Sequence, residues 1–151
     1  MFNSTISPSP SANQKYVEAA GTAYSLTNTA AAAAFGTTSP SITLDQAGTY
    51  LLLASANLLY NAATFAAVRT ATLKLRRTNN TPADVTGMTR DIKSSIITAL
   101  TYSLPNTTLI GTYTTTNTND VISLFANVDT VPTAGTLDLV QASIIAIRLT
   151  P

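Results

Sequence analysis

The sequence predicts an all-β chain, an antiparallel β-sandwich of jelly-roll type behind a short flexible N-terminal arm. Three observations carry this expectation. Threonine is abundant, while lysine and glutamate, common on exposed helices, are nearly missing, and β-branched residues suit strands. Short apolar runs succeed one another at fairly even spacing, parted by Asn, Ser, Gly and Pro, the residues of turns. No strand–helix–strand alternation interrupts them. At 151 residues the chain has the size of one domain, and two sheets of roughly four or five strands fit that length.

Residues 1–15 hold Pro8 and Pro10 among serines and lack any core-forming run. They read as an arm, with 16–151 as the jelly-roll domain. Tyr16–Thr27 reads as the first strand or strand pair, punctuated by Gly21. Asn28–Pro40 contains an alanine run too short to be a stable helix alone; it is expected as a loop with one helical turn that packs Phe35 inward. Ser41–Leu44 is a short strand, Asp45–Gly48 a turn, and Gly48–Asn61 a long strand. Phe65–Thr78 is the next strand, and Asn79–Gly87 reads as a turn-rich loop. Ser94–Leu104 and Thr107–Thr116 read as two strands parted by a turn at Pro105-Asn106. A tight turn at Asn117–Asp120 leads into the strand Val121–Asp129. A further turn, Thr130–Gly135, precedes the last strand, Thr136–Thr150.

Composition excludes several function classes. Charged residues make up 10% of the chain and the formal net charge is +1, so no strong field draws it to nucleic acid or an anionic membrane. The basic cluster Arg69, Lys74, Arg76 and Arg77 is split between two faces by strand alternation. It reads as a charged strand edge rather than an anion site. Histidine and cysteine are absent, which removes Ser-His-Asp arrangements, thiolates and the commonest metal ligand. The acids Glu18, Asp45, Asp84, Asp91, Asp120, Asp129 and Asp138 fall mostly in expected turns, where aspartate bonds nearby backbone. No facing pair of carboxylates is legible. No enzyme activity, metal or cofactor is expected. No secretory leader is legible, and the apolar runs are too short or too interrupted to span a membrane.

The long strand carries apolar residues on both alternating faces. One face has Tyr50, Leu52, Ala54, Ala56, Leu58 and Tyr60; the other has Leu51, Leu53 and Leu59 among Thr49, Ser55 and Asn57. Strict alternation in the last strand likewise sorts Leu137, Leu139, Ile145, Ile147 and Leu149 onto one face, with Val140, Ala142, Ile144 and Ala146 on the other. A sandwich buries one face of each sheet. The second needs another cover, and an identical subunit is the simplest one.

The segment Ile42-Thr43-Leu44, a turn, then Gly48-Thr49-Tyr50 and a long apolar strand resembles the signature of the tumour necrosis factor-like superfamily, which includes the complement globular heads. Asn119-Asp120-Val121-Ile122-Ser123-Leu124 and the apolar strand Ala142 to Leu149 match its later part. Leucines and alanines replace the aromatic residues that usually follow Gly-x-Tyr. The resemblance implies a ten-strand jelly roll and a compact homotrimer whose axis is lined by the sheet holding the first and last strands.

The resulting expectation is a non-enzymatic homotrimeric structural protein on the outer surface of a bacteriophage virion, made in the host cytoplasm. Its most fitting role is that of a capsid decoration or head-fibre protein. Viral use is something the resemblance allows. The partners are further copies of the chain and a major capsid or other virion protein, reached through residues 1–15, with neither nucleic acid nor membrane. The trimer interface is expected to use Tyr24, Leu51, Leu53, Val140, Ile144, Ile145 and Ile147. The other reading is a receptor- or carbohydrate-binding head of a fibre. Tyr60, Tyr102 and Tyr113 would stack on sugars if exposed, but the loops Thr78–Gly87 and Thr130–Gly135 carry neither Tyr nor Trp.

Overall fold

Nine strands and their pairings build the computed structural model, which describes residues 14–36 and 38–149. They are β1 (Gln14–Ser25), β2 (Ala31–Ala32), β3 (Ser41–Leu44), β4 (Gly48–Phe65), β5 (Arg69–Arg77), β6 (Ala83–Ser94), β7 (Ile97–Thr115), β8 (Asp120–Val128) and β9 (Ala134–Arg148). A four-stranded sheet runs β1-β9-β4-β7. A five-stranded sheet runs β2-β8-β5-β6, with β3 also paired to β8. All pairings are antiparallel. The chain is an all-β sandwich of jelly-roll type. Nine strands stand among the described residues where the resemblance implied ten. Most of the expected arm, residues 1–13, lies outside the described residues, and Gln14 and Lys15 already belong to β1.

The core lies between the sheets. Tyr50, Leu52, Ala54, Ala56, Leu58 and Tyr60 of β4 are all buried, in one cluster with Leu73 and Leu75 of β5 and Ile122, Leu124, Ala126 and Val128 of β8. Burying one such leucine contributes about 2 kcal/mol, so this alternation alone fixes which way β4 faces. Phe35 points inward as expected, 3% exposed. No helical turn precedes it: Ala31 and Ala32 pair instead with Ala126 and Phe125 as β2. Alanine propensity yields here to an open edge of β8 that supplies backbone partners.

Three further departures come from local irregularities. In β9, Ala142 pairs with Ala56 and Gln141 with Asn57, but Leu139 pairs with Leu58. Val140 is therefore an extra residue, a β-bulge. The bulge inverts the alternation, so Leu137 and Leu139 share the core face with Ala142, Ile144 and Ala146, all buried. The residues expected to be separated by Pro105-Asn106 form one strand, β7. Between Leu104, paired with Leu58, and Thr107, paired with Ala56, the extra residue is again absorbed as a bulge. A proline is tolerated there because β7 is an edge strand. Finally, Ala83–Ser94 is a strand, whereas residues 79–87 read as a loop.

Gly135 is required by geometry. Its φ is +68°, and a Cβ there would stand 2.2 Å from the backbone oxygen of Ala62. A side chain meets both a left-handed backbone and an immovable carbonyl.

Asp120 closes the other end of the sandwich. Its carboxylate is 0% exposed and accepts hydrogen bonds from Tyr113 (2.7 Å), Thr115 (2.6 Å) and Asn80 (2.5 Å). Arg77 Nη1 lies 3.6 Å away. Burial works against its ionisation, but the hydrogen bonds from Thr115, Tyr113 and Asn80 and the Arg77 charge outweigh it, holding the carboxyl below the ordinary 3.8. Such a group adds stability above its unfolded pKa and loses it as pH falls through the folded value.

Asp120→Asn is expected to cost about 2–3 kcal/mol at neutral pH and to flatten the loss of stability on acidification below about pH 4. Urea denaturation at several pH values checks both; an unchanged acid limb contradicts the assignment. Gly135→Ala is expected to cost about 2 kcal/mol or more, read as a lower denaturation midpoint.

Candidate assembly surface

The register of the four-stranded sheet sets its outward side chains in ranks across all four strands. The first rank is Gln14, Ile147, Leu51 and Thr112. The second is Tyr16, Ile145, Leu53 and Ile110. The third is Glu18, Ser143, Ser55 and Thr108, and Ala20, Gln141 and Asn57 follow. The second rank is apolar from edge to edge, and Ile147 and Leu51 extend it toward the end where β4 begins. Leu51, Leu53, Ile145 and Ile147 are half-buried by their neighbours. Ile110 is 63% and Tyr16 58% exposed. Leu53 and Ile145 with Ser55, Thr108 and Ser143 line a shallow depression of about 170 Å³.

The next ranks are polar and mutually bonded. Ser55 and Ser143 hydroxyls lie 2.8 Å apart, and Asn57 Nδ2 donates to Gln141 Oε1 at 3.3 Å. Gln141 Nε2 also donates to Glu18. The Tyr16 hydroxyl donates to the same carboxylate at 2.5 Å. The bonds from Tyr16 and Gln141 lower the Glu18 pKa, and the bond to Glu18 raises that of Tyr16. The face thus divides into an oily stripe and a hydrogen-bonded polar band.

Of the seven residues expected at an interface, Leu51, Leu53, Ile145 and Ile147 lie together on this outward face. Ile144 does not: it pairs with Ala54 and is 0% exposed within the single chain. Adjacent residues of a strand point to opposite sides, so Ile144 and Ile145 cannot share the outward face. Tyr24 pairs with Leu139 and packs against the core. Val140 is the bulge residue and is half-buried. Ile110 and Tyr16 were not among those expected. The adjacent pair Leu109-Ile110 leaves the inward residue ambiguous until the register with β4 is known.

Most of the charged groups have structural partners. The strand β5, which holds the basic cluster, is central rather than an edge, lying between β8 and β6. Lys74 and Arg76 pair with Asp84 at 2.8 and 3.8 Å, and Arg76 lies over the Phe125 ring, 5.5 Å from its centroid. Four acids expected mostly in turns, Asp84, Asp91, Asp120 and Asp138, are strand residues. Asp91 accepts from Thr72, Asp129 from the Thr70 backbone, Asp138 from Ser25 and Thr136, and Asp45 pairs with Lys15. Among the described residues no group of three or more His, Cys, Asp or Glu is placed to hold a metal ion, and no helix is long and apolar enough to cross a membrane.

No family model matches the sequence, nor does any curated protein. Solved structures match its fold. The globular domain of the zebrafish complement 1qA protein aligns with a TM-score of 0.59 at 11% identity, over 91% of this chain and 97% of that one. The VP2 subviral particle of infectious bursal disease virus gives 0.50 at 14% identity, over 89% of this chain and 32% of that one. Eiger TNF from S. frugiperda gives 0.48 at 14% identity, over 73% and 64%. The chain has the jelly-roll fold of the complement globular domain along nearly its whole length, and spans about a third of the VP2 chain.

The two neighbouring isoleucines separate core from surface. Ile144→Asp is expected to unfold the chain, by about 4 kcal/mol or more, because it buries an unpaired charge. Ile145→Asp is expected to leave the strand content intact. Circular dichroism melts of both variants check this; equal damage contradicts the assigned faces.

Proposed function

We propose that the chain is a non-enzymatic, homotrimeric structural protein on the outer surface of a bacteriophage virion, as a capsid decoration or head-fibre protein. The observation that carries this reading is the apolar rank Tyr16, Ile145, Leu53 and Ile110 on the sheet that holds the first and last strands. A continuous apolar stripe open to water favours association. Three copies around one axis bring the same face of each toward the centre without leaving an open end. The polar band beside the stripe would fix the register between copies, since misaligned copies would set apolar groups against Glu18 and Gln141.

Several features support the structural role. The carboxylates are engaged in holding strands and turns together rather than gathered in a cleft. The fold is shared with part of a viral particle protein, a precedent for use in a shell. Strand β1 begins at Gln14, which pairs with Ile147 near the end of the four-stranded sheet. Three arms leaving one end of a trimer would grip several shell subunits at once, and weak contacts then add through effective concentration.

Sedimentation velocity at micromolar concentration is expected to give the mass of three chains; a clean monomer contradicts the reading. Deleting residues 1–13, which spares the Lys15–Asp45 ion pair, is expected to keep the trimer and to weaken binding to phage shells at least tenfold in a co-sedimentation assay. Unchanged shell binding rules out the arm as the attachment.

A further inference from the structure

The sandwich is open along one side, where the edge strand β6 of one sheet faces the edge strand β7 of the other. There a groove of about 500 Å³ is lined by Arg90, Asp91, Ile92, Leu104, Asn106, Thr107 and Thr108. Its size is that of a small-ligand site, which runs to several hundred Å³. We infer that this groove binds a saccharide bearing a carboxylate.

Arg90 is the first reason. It pairs with Leu73, a core residue, and so stands on the inward row of β6 between Met88 and Ile92. Met88 is fully buried and Ile92 half-buried. Arg90 itself is exposed, and its side chain makes no hydrogen bond or ion pair with any described residue. Its neighbour Asp91 points to the opposite face, where it accepts from Thr72 at 2.8 Å. The guanidinium remains exposed over the groove, with its five donors unused.

The rest of the lining suits a sugar. The Asn106 amide and the Thr107 hydroxyl can both donate and accept, as ring hydroxyls do. They sit at the bulge of β7, and bulges re-aim side chains beside functional sites. Leu104 and Ile92 offer an apolar floor for the C–H face of a pyranose. Both flanking strands pair on one side alone, β6 with β5 and β7 with β4, so each presents free backbone donors and acceptors to the groove.

Charge selects the class. One guanidinium matches one carboxylate in a bidentate pair. A phosphate monoester carries nearly twice that charge, and no second cation lines the groove. A neutral sugar would leave Arg90 unanswered. The lining belongs to one chain, and at Asn106 and Thr108 the groove adjoins the outward face of the four-stranded sheet.

The test is an NMR titration of the intact protein with D-galacturonic acid, N-acetylneuraminic acid, D-galactose and inorganic phosphate. Saturable binding of at least one of the two acids is expected, with shifts at Arg90, Asn106 and Thr107. D-galactose is expected to bind at least tenfold more weakly. Arg90→Gln is expected to weaken the acid at least tenfold, while Arg69→Gln, a cation outside the groove, leaves it unchanged. Sedimentation of the same samples reports the assembly separately. The inference is overturned if neither acid saturates, if Arg90→Gln binds as tightly as the native protein, or if phosphate binds more tightly than both acids.

Discussion

Strands β4 and β9 carry aliphatic side chains on both of their faces, and the sandwich has room to bury one. The inward faces build the core: Leu52, Ala54 and Leu58 of β4 beside Leu139, Ala142, Ile144 and Ala146 of β9. The outward faces leave Leu51, Leu53, Ile145 and Ile147 half-covered by one another and by Tyr16 and Ile110 on the flanking strands. A chain that kept this stripe in water would lose hydrophobic stabilisation and risk indiscriminate association. The adjoining band of Glu18, Ser143, Ser55, Asn57 and Gln141 limits the stripe to one end of the sheet. It also supplies direction, which an oily patch alone lacks.

Charge plays a small and mostly local part. At the end where β4 begins, Lys15 of β1 pairs with Asp45, and Arg148 of β9 donates to the side chain of Gln46 and to the Ala47 carbonyl, the latter at 2.7 Å. The first and last strands are thus tied to the turn that launches the central one. Asp120 joins the strand ends at Tyr113 and Thr115 to Arg77 and Asn80. These clamps hold the ends of strands whose middles are held by apolar packing. They engage Lys15, Asp45, Arg77, Asp120 and Arg148, whereas the side chains of Arg69, Arg90 and Lys93 have no partner among the described residues.

The fold class was legible because its cause is additive: many Thr-rich and β-branched runs, parted by turn residues, leave few alternatives. The inward face of β4 was legible because its alternation is unbroken from Tyr50 to Tyr60. The face of β9 was not. The bulge at Val140 carries no Gly or Pro to announce it, and a one-residue insertion reverses every later assignment. That is why Ile144 was grouped with the outward residues although it sits in the core. Strand β6 was missed for a different reason. Its apolar residues Val85, Met88 and Ile92 are three and four apart, a helical spacing, and its register against β5 jumps between Lys74 and Arg76. The groove beside it could not be read from sequence at all, since it exists where two edges from different sheets come together.

Likeness in fold to the complement globular domain extends along nearly the whole chain at 11% identity. What survives at that distance is the strand order and the alternation that supports it, while the side chains on the outward face are this protein's own. Fold alone does not fix function, so the proposed assembly is tested on that face. The absence of cysteine allows a direct measurement of whether the face is covered. Ile110→Cys places one thiol at a position 63% exposed in the single chain, and Lys93→Cys places one on an exposed site away from the stripe. With micromolar protein, the thiol at 110 is expected to react with a maleimide about a hundredfold more slowly than that at 93, and to catch up on dilution as copies part. Equal rates at every concentration would contradict a face buried between copies.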